Sequence, residues 1–167
     1  MDGFELNIKD LTLTELSDYL VERRIPGYRA QQIFGWIYKK NVFSWDEMTN
    51  LPMELRNQLD KAGLSIGCLT VVEREAAPDG TVKYLFGLDD GSTVESVYLP
   101  DDDRHTVCFS TQVGCPMGCL FCATGQNGLT RNLTTGEIID QILRISKFQG
   151  VTLTNLVEMG QGEPLLN

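Results

Sequence analysis

The chain has 167 residues, 42% of them hydrophobic and 22% charged. That mix suits a globular protein of one ordinary domain or two small ones, long enough to bury a core. Its net charge of -9, taken alone, argues against a chain that grips a nucleic-acid backbone, no apolar run reaches bilayer length, and the start "MDGFELNIKD" is acidic and mixed, unlike a secretory signal.

Residues 10 to about 62 read as helical. Thr12 and Glu15 have capping-box spacing, and Leu13, Leu16 and Leu20 follow at helical intervals. Pro26 and Gly27 break that helix, and "YRAQQIFGWIYKK" resumes with Ile33, Trp36 and Ile37 on one face. Ser44 and Glu47 form a second capping-box pattern; a last helix begins near Pro52 and stops at Gly63. The region reads first as a packed helical domain, with Trp36, Tyr38 and Trp45 as core or rim. Positive charge concentrates here, at Arg23, Arg24, Arg29, Lys39 and Lys40, against acidic runs such as "PDDDR".

From about 70 to 100 the period changes to two. "TVKYLFGL" and "STVESVYL" flank "DDG", a hairpin signal, and Glu95 falls on what reads as the solvated face of an edge strand. "HTVCFSTQVG" (105 to 114) alternates as a further strand, with Cys108, Ser110 and Gln112 on one side. After a cysteine-rich loop, "TTGEIIDQILRISKFQG" (134 to 150) reads as a helix. Thr134 and Glu137 box its start, Ile138, Ile142 and Ile145 make its stripe, and Gly150 ends it. "TNLVEMGQGEP" is a strand entering a Gly-rich loop, so strand, helix and strand make a βαβ unit.

Cys115, Cys119 and Cys122 follow a C-x3-C-x2-C spacing. A reducing compartment and an odd number exclude disulfides among the three. Zinc wants four ligands, and Cys108 or His105 would have to complete the set from a strand pointing away. A 4Fe-4S cluster takes one thiolate per iron, so three cysteines leave one iron open to a small molecule.

With Phe121 before Cys122, the motif resembles that of the radical S-adenosylmethionine (radical SAM) enzymes. The wider stretches "CFSTQVGCPMGCLFCATGQNGLTRNLTTGEI", "MGQGEPLLN", "YRAQQIFGWIYKK" and "ESVYLPDDDRHTVC" resemble the dual-specificity adenine-C2 methyltransferases of 23S rRNA and tRNA. The resemblance implies a 4Fe-4S cluster on Cys115, Cys119 and Cys122, with S-adenosyl-L-methionine held at its amino end by Gly162 and Glu163. It implies Glu95 as proton acceptor and Cys108 as the thiol that resolves a covalent protein–RNA intermediate through a disulfide bond. The family's methyl-carrying cysteine would lie beyond Asn167, leaving this chain an N-terminal part that is inactive alone. Cys68 reads as structural.

The implied fold is α+β followed by α/β: a helical accessory region at 1–68, a β-hairpin region at 69–103, and the start of a partial (β/α) radical SAM barrel at 104–167. Implied partners are 23S rRNA, tRNA and an external electron donor; the full-length protein would be a cytoplasmic monomer without membrane contact. The alternatives are an adenine-C8 rRNA methyltransferase conferring antibiotic resistance, a zinc-stabilised binding module without catalysis, and a radical SAM reaction on a small molecule. Glu158 departs from the family pattern, since a bulky apolar residue is usual there and a buried strand carboxylate is costly.

Overall fold

In the computed structural model, which describes residues 6–167, Thr12 starts the first helix as its spacing predicts. Its hydroxyl accepts the Glu15 N–H at 3.2 Å, and the Glu15 carboxylate accepts the Thr12 N–H at 2.7 Å. Residues 1–5, which open the stretch read as no secretory signal, lie outside the described residues. No helix among the described residues is long and apolar enough to cross a membrane. The chain divides into two units, one ending at Cys68 and one running from Leu69 to Asn167.

In the first unit, β1 (Leu6–Asn7) pairs in parallel with β2 (Leu64–Ser65), closing the unit's ends on each other. Between them run α1 (Leu13–Glu22), α2 (Tyr28–Phe34) and α3 (Met53–Lys61). Helix α2 continues into a π-helical turn at Gly35–Lys39, so Ala30, Ile33 and Ile37 share a buried face while Trp36 is half-buried. Ser44 caps a single 3-10 turn, Trp45–Glu47, rather than an α-helix; its side chain accepts the Asp46 N–H. Trp45 is core, donating its indole N–H to the Leu64 carbonyl at 3.1 Å. Lys9 is also buried, its ammonium on the Ile66 carbonyl and over the Phe43 ring.

The second unit is built on a five-stranded sheet. Its strands are β3 (Thr70–Ala76), β4 (Val82–Gly87), β5 (Thr93–Asp101), β6 (Arg104–Cys108) and β9 (Asn155–Val157), in the order β3-β4-β5-β6-β9. The first three pairings are antiparallel and β6–β9 is parallel. The hairpin therefore shares one sheet with the strands that follow it. The chain breaks the stretch 105–114 after Cys108 and resumes as β7 (Gln112–Gly114). That strand pairs antiparallel with β8 (Leu129–Asn132), the two flanking the cysteine loop and the short α4 (Ala123–Gln126). Helix α5 (Thr135–Gln149) completes the crossover to β9.

Alternation decides the sheet's faces. Val82, Tyr84, Phe86, Val94, Ser96 and Tyr98 are buried, and α5 lies over that face: Phe148 stacks on Tyr84 at 5.9 Å and Gln149 donates to the Tyr84 hydroxyl at 2.7 Å. Two expectations are corrected. The inward side of α5 is largely polar: Glu137, Asp140 and Gln141 are buried with Ile145, while Ile138 and Ile142 are only half-buried. Each polar group on that side has its own partner: Gln141 bonds the Ser110 backbone after β6, Asp140 accepts the Leu69 N–H at 3.1 Å, and Glu137 accepts from Arg131. Glu158 is exposed just past the end of β9, so its charge stays hydrated.

Candidate functional site

Two loops leave the same end of the parallel pair β6–β9. The cysteine-bearing segment leaves β6, and the Gly-rich loop 158–163 leaves β9. In open α/β sheets ligands bind outside the carboxyl ends of parallel strands, because backbone amides and loops converge there.

The loops are joined by hydrogen bonds. The Gly160 N–H donates to the Phe109 carbonyl at 3.0 Å, and the Thr111 and Gln112 N–H groups donate to the Gln161 carbonyl at 2.9 and 3.2 Å. The Gln161 N–H donates to the Ser110 hydroxyl at 2.8 Å, and the Glu163 N–H to Gln112 Oε1 at 2.9 Å. Only glycine allows this approach. A Cβ on Gly160 would stand 2.6 Å from the Phe109 carbonyl, and one on Gly162, whose φ is +107°, 2.8 Å from Thr111 and Gln112. The Glu163 carboxylate turns back to accept the Leu165 N–H at 3.1 Å.

From below, Gln141 of α5 grips the segment as one amide grips another. Its Oε1 accepts from the Ser110 N–H (3.0 Å) and the Ser96 hydroxyl (2.7 Å), and its Nε2 donates to the Ser110 carbonyl (3.1 Å). The Ser110 hydroxyl donates to the Glu95 carbonyl at 2.6 Å. Sequence reading missed Ser110, Gln112 and Gln141 as positioning groups. The signal was there as polar residues at inward positions of a strand and of a helix.

Glu95 and Cys108 come together. Cys108 pairs with Val97, and Glu95 stands two residues along on the same face, away from α5. Diagonal neighbours of this kind are about 7–8 Å apart. Strand β5 lies between β4 and β6, so Glu95 is on an interior strand and not on an edge. Lys83, which sequence reading passed over, shares the face, 3.6 Å from Glu95 and 3.0 Å from Glu75. Glu75, then Glu95, hold its ammonium above its ordinary pKa. Burial pushes the Cys108 thiol up, partly offset by the Met159 N–H donated to its sulfur.

The three loop cysteines differ. Cys115 is buried, Cys119 exposed, and Cys122 intermediate. The Gly125 N–H, aided by Thr124, lowers the Cys122 pKa against the effect of burial. The Cys122 N–H closes a turn on the Cys119 carbonyl at 3.0 Å. Around them Met117, Leu120 and Phe121 are exposed. Three thiols on one short loop, one with its pKa lowered, suit a thiophilic metal centre in donor chemistry. Among the described residues, no three His, Cys, Asp or Glu side chains are gathered into a metal-holding group, so the loop carries the donors without a preformed cage. No disulfide joins any of the five cysteines.

The family model described as "Ribosomal RNA large subunit methyltransferase N-terminal domain" matches residues 6–63. The chain is 48% identical over 162 residues to the probable dual-specificity RNA methyltransferase RlmN of Thermotoga neapolitana, covering 96% of this chain and 47% of that protein. It is 48% identical to the dual-specificity RNA methyltransferase RlmN of Geobacter sulfurreducens, covering 97% of this chain and 44% of that protein. A crystal structure of a radical SAM methyltransferase from Sphaerobacter thermophilus matches with a TM-score of 0.91 at 47% identity, over 97% of this chain and 48% of that one. The chain thus spans about half the length of the curated relatives it matches.

Proposed function

We propose, from the premise that this chain resembles the dual-specificity RNA methyltransferase family along almost its whole length, that it carries the cluster and cofactor sites of a radical SAM RNA methyltransferase. The finer reading is methylation of adenosine C2 in 23S rRNA and tRNA. The sheet of the second unit, with its parallel pair, then forms the start of a partial (β/α) barrel.

Cys115, Cys119 and Cys122 would hold a 4Fe-4S cluster with one iron left for S-adenosyl-L-methionine. When bound, that group supplies the electron that splits the sulfonium cofactor; a radical route is required because adenine C2 is electron-poor and no nucleophile. This chain's residues would contribute binding and proton handling. The open backbone at Gly162 lets a ligand approach closely, and the Glu163 carboxylate pairs with an ammonium. Glu95 takes a proton on the face it shares with Cys108, with the Lys83 ammonium 3.6 Å away. Cys108, its thiol pKa pushed up by burial, is the partner for resolving a covalent RNA adduct. The observation that supports the reading most is the meeting of the cysteine segment and the Gly-rich loop at one end of a parallel strand pair.

The test is to reconstitute the chain anaerobically, reduce it, and record its paramagnetic resonance spectrum with and without S-adenosyl-L-methionine. A cluster signal that shifts on addition is expected. A signal the cofactor leaves unchanged contradicts the shared site.

A further inference from the structure

The cysteine loop opens from a narrow mouth. Strands β7 and β8 pair through Gln112↔Asn132, Val113↔Arg131 and Gly114↔Leu129, and the Cys115 N–H donates to the Gly128 carbonyl at 3.0 Å. At Gly114, with φ +78°, a Cβ would fall 2.1 Å from that carbonyl oxygen. The ladder is short, and so short a two-stranded ribbon has little stability of its own. Something must hold it in place.

Arg131, opposite Val113 and so two residues from Cys115 across the ladder, reaches two other segments at once. Its Nη1 and Nη2 donate to the two oxygens of Glu137 at 2.8 Å each, and its Nε donates to Asp90 at 2.6 Å. Both acceptors are themselves fixed. Glu137 accepts the Thr134 N–H at 2.8 Å as the box of α5, and Asp90 accepts the Ser92 N–H at 2.8 Å within the β4–β5 turn. Glu137 is nearly buried and Arg131 only partly exposed, so the fork is screened less than a surface pair. The neighbouring Asn132 accepts from Gln112 at 2.9 Å, and Gln112 accepts the Glu163 N–H. A movement of β8 is therefore felt at both the cysteine loop and the Gly-rich loop.

We infer that Arg131 is a positioning residue for the cysteine loop, fixing its mouth against the β4–β5 turn and the start of α5 so that the cluster thiols and the Gly-rich loop keep their relative placement. Its bearing on a cluster rests on the function proposed above; its hold on the loop does not. The planar guanidinium is specific to the task, because lysine keeps the charge but its single nitrogen cannot pair both Glu137 oxygens side by side while a separate N–H reaches Asp90.

The test compares the wild-type chain with Arg131→Met, Arg131→Lys and Asp90→Asn. In the metal-free chain, amide exchange at Cys115 should quicken roughly tenfold or more in Arg131→Met, the scale of a lost charge-assisted hydrogen bond. Arg131→Lys and Asp90→Asn should fall between, and the β4–β5 ladder should be unaffected. After anaerobic reconstitution, iron loss to ferrozine should rank in the same order, fastest in Arg131→Met. Should Arg131→Met fail to fold, Asp90→Asn removes the charge of one arm alone and decides by the same readouts. Cys115 exchange and iron loss equal to wild type in the folded variants overturn the inference. A wild-type chain that takes up no iron refutes the cluster reading instead, and amide exchange still decides the role of Arg131.

Discussion

Gly160 and Gly35 make opposite demands on a single methyl group. A Cβ at Gly160 would press on the Phe109 carbonyl at 2.6 Å, a backbone atom that cannot swing aside, whereas one at Gly35, with φ −61°, meets nothing within 4 Å. Gly160→Ala should therefore cost about 1–3 kcal/mol by overpacking, while Gly35→Ala should stabilise by about 0.5–1 kcal/mol through the unfolded chain's entropy. Urea unfolding of both variants checks the pair; a harmless Gly160→Ala contradicts the tight joining of the two loops. A second residue carries a pH signature. Arg131, then the Ser92 N–H, pull the Asp90 carboxyl from its ordinary 3.8 down to about 2. The folded pKa is depressed, so the Asp90 contribution is full above 3.8 and is lost as pH falls toward about 2. The thermal-stability gap between wild type and Asp90→Asn should accordingly shrink over that window and stay flat from about pH 5 to 7. A gap constant down to about pH 2 would deny the ion pair. The sequence shows the glycines of "MGQGEP" as a loop, but not which of them is pressed against a neighbour. Phe109 is far from them along the chain.

At the level of elements, local signals were legible and distant ones were not. The boxes Thr12/Glu15 and Thr134/Glu137 close within four residues, and both form as read. Ser44/Glu47 has the same spacing, yet its helix ends after one 3-10 turn, because Trp45 is drawn into the core by the Leu64 carbonyl. The isoleucine pattern of α5 pointed to the helix but not to its buried side. Gln141 serves Ser110 and Ser96, groups no local pattern links to it. Gln141→Leu keeps the shape but strands the Ser110 N–H and carbonyl in a buried place, at a cost of about 2–4 kcal/mol. Chemical denaturation measures this, and a change below about 0.5 kcal/mol would mean the network is dispensable. The same limit hid the setting of Glu95. Its strand looks like an edge until β6 is seen to pair with it.

For the whole molecule, the net charge of -9 conceals an uneven distribution. In the first unit Arg23 lies over Tyr19 at 3.5 Å, Arg29 over Tyr28 at 5.0 Å and Lys40 over Trp36 at 3.7 Å, joining cations to exposed or half-exposed rings. Such pairs suit phosphate and base recognition. If the proposed RNA substrate is right, replacing Arg23, Arg24, Arg29, Lys39 and Lys40 with glutamine in a full-length parent should weaken its RNA binding. It should also flatten the salt dependence, by about 0.7–0.9 in slope for each phosphate left without its cation. An unchanged slope assigns these charges to a solvated face. The three cysteines were legible because their spacing lies within one short stretch of the chain; Arg131, which binds Asp90 and Glu137 through space, was not.

Metal content tests most directly whether Cys115, Cys119 and Cys122 together hold one cluster with an open iron. Iron, sulfide and zinc are to be measured after anaerobic reconstitution of wild type and of Cys115→Ala, Cys119→Ala, Cys122→Ala and Cys68→Ala. A cluster that already lacks one protein ligand cannot easily spare another. Near-equal iron and sulfide, at about four of each per chain, are expected in wild type and Cys68→Ala, with neither retained when any one of the three loop cysteines is removed. Zinc without iron in the wild type, or undiminished iron and sulfide in Cys119→Ala, would contradict a shared cluster on these three thiolates.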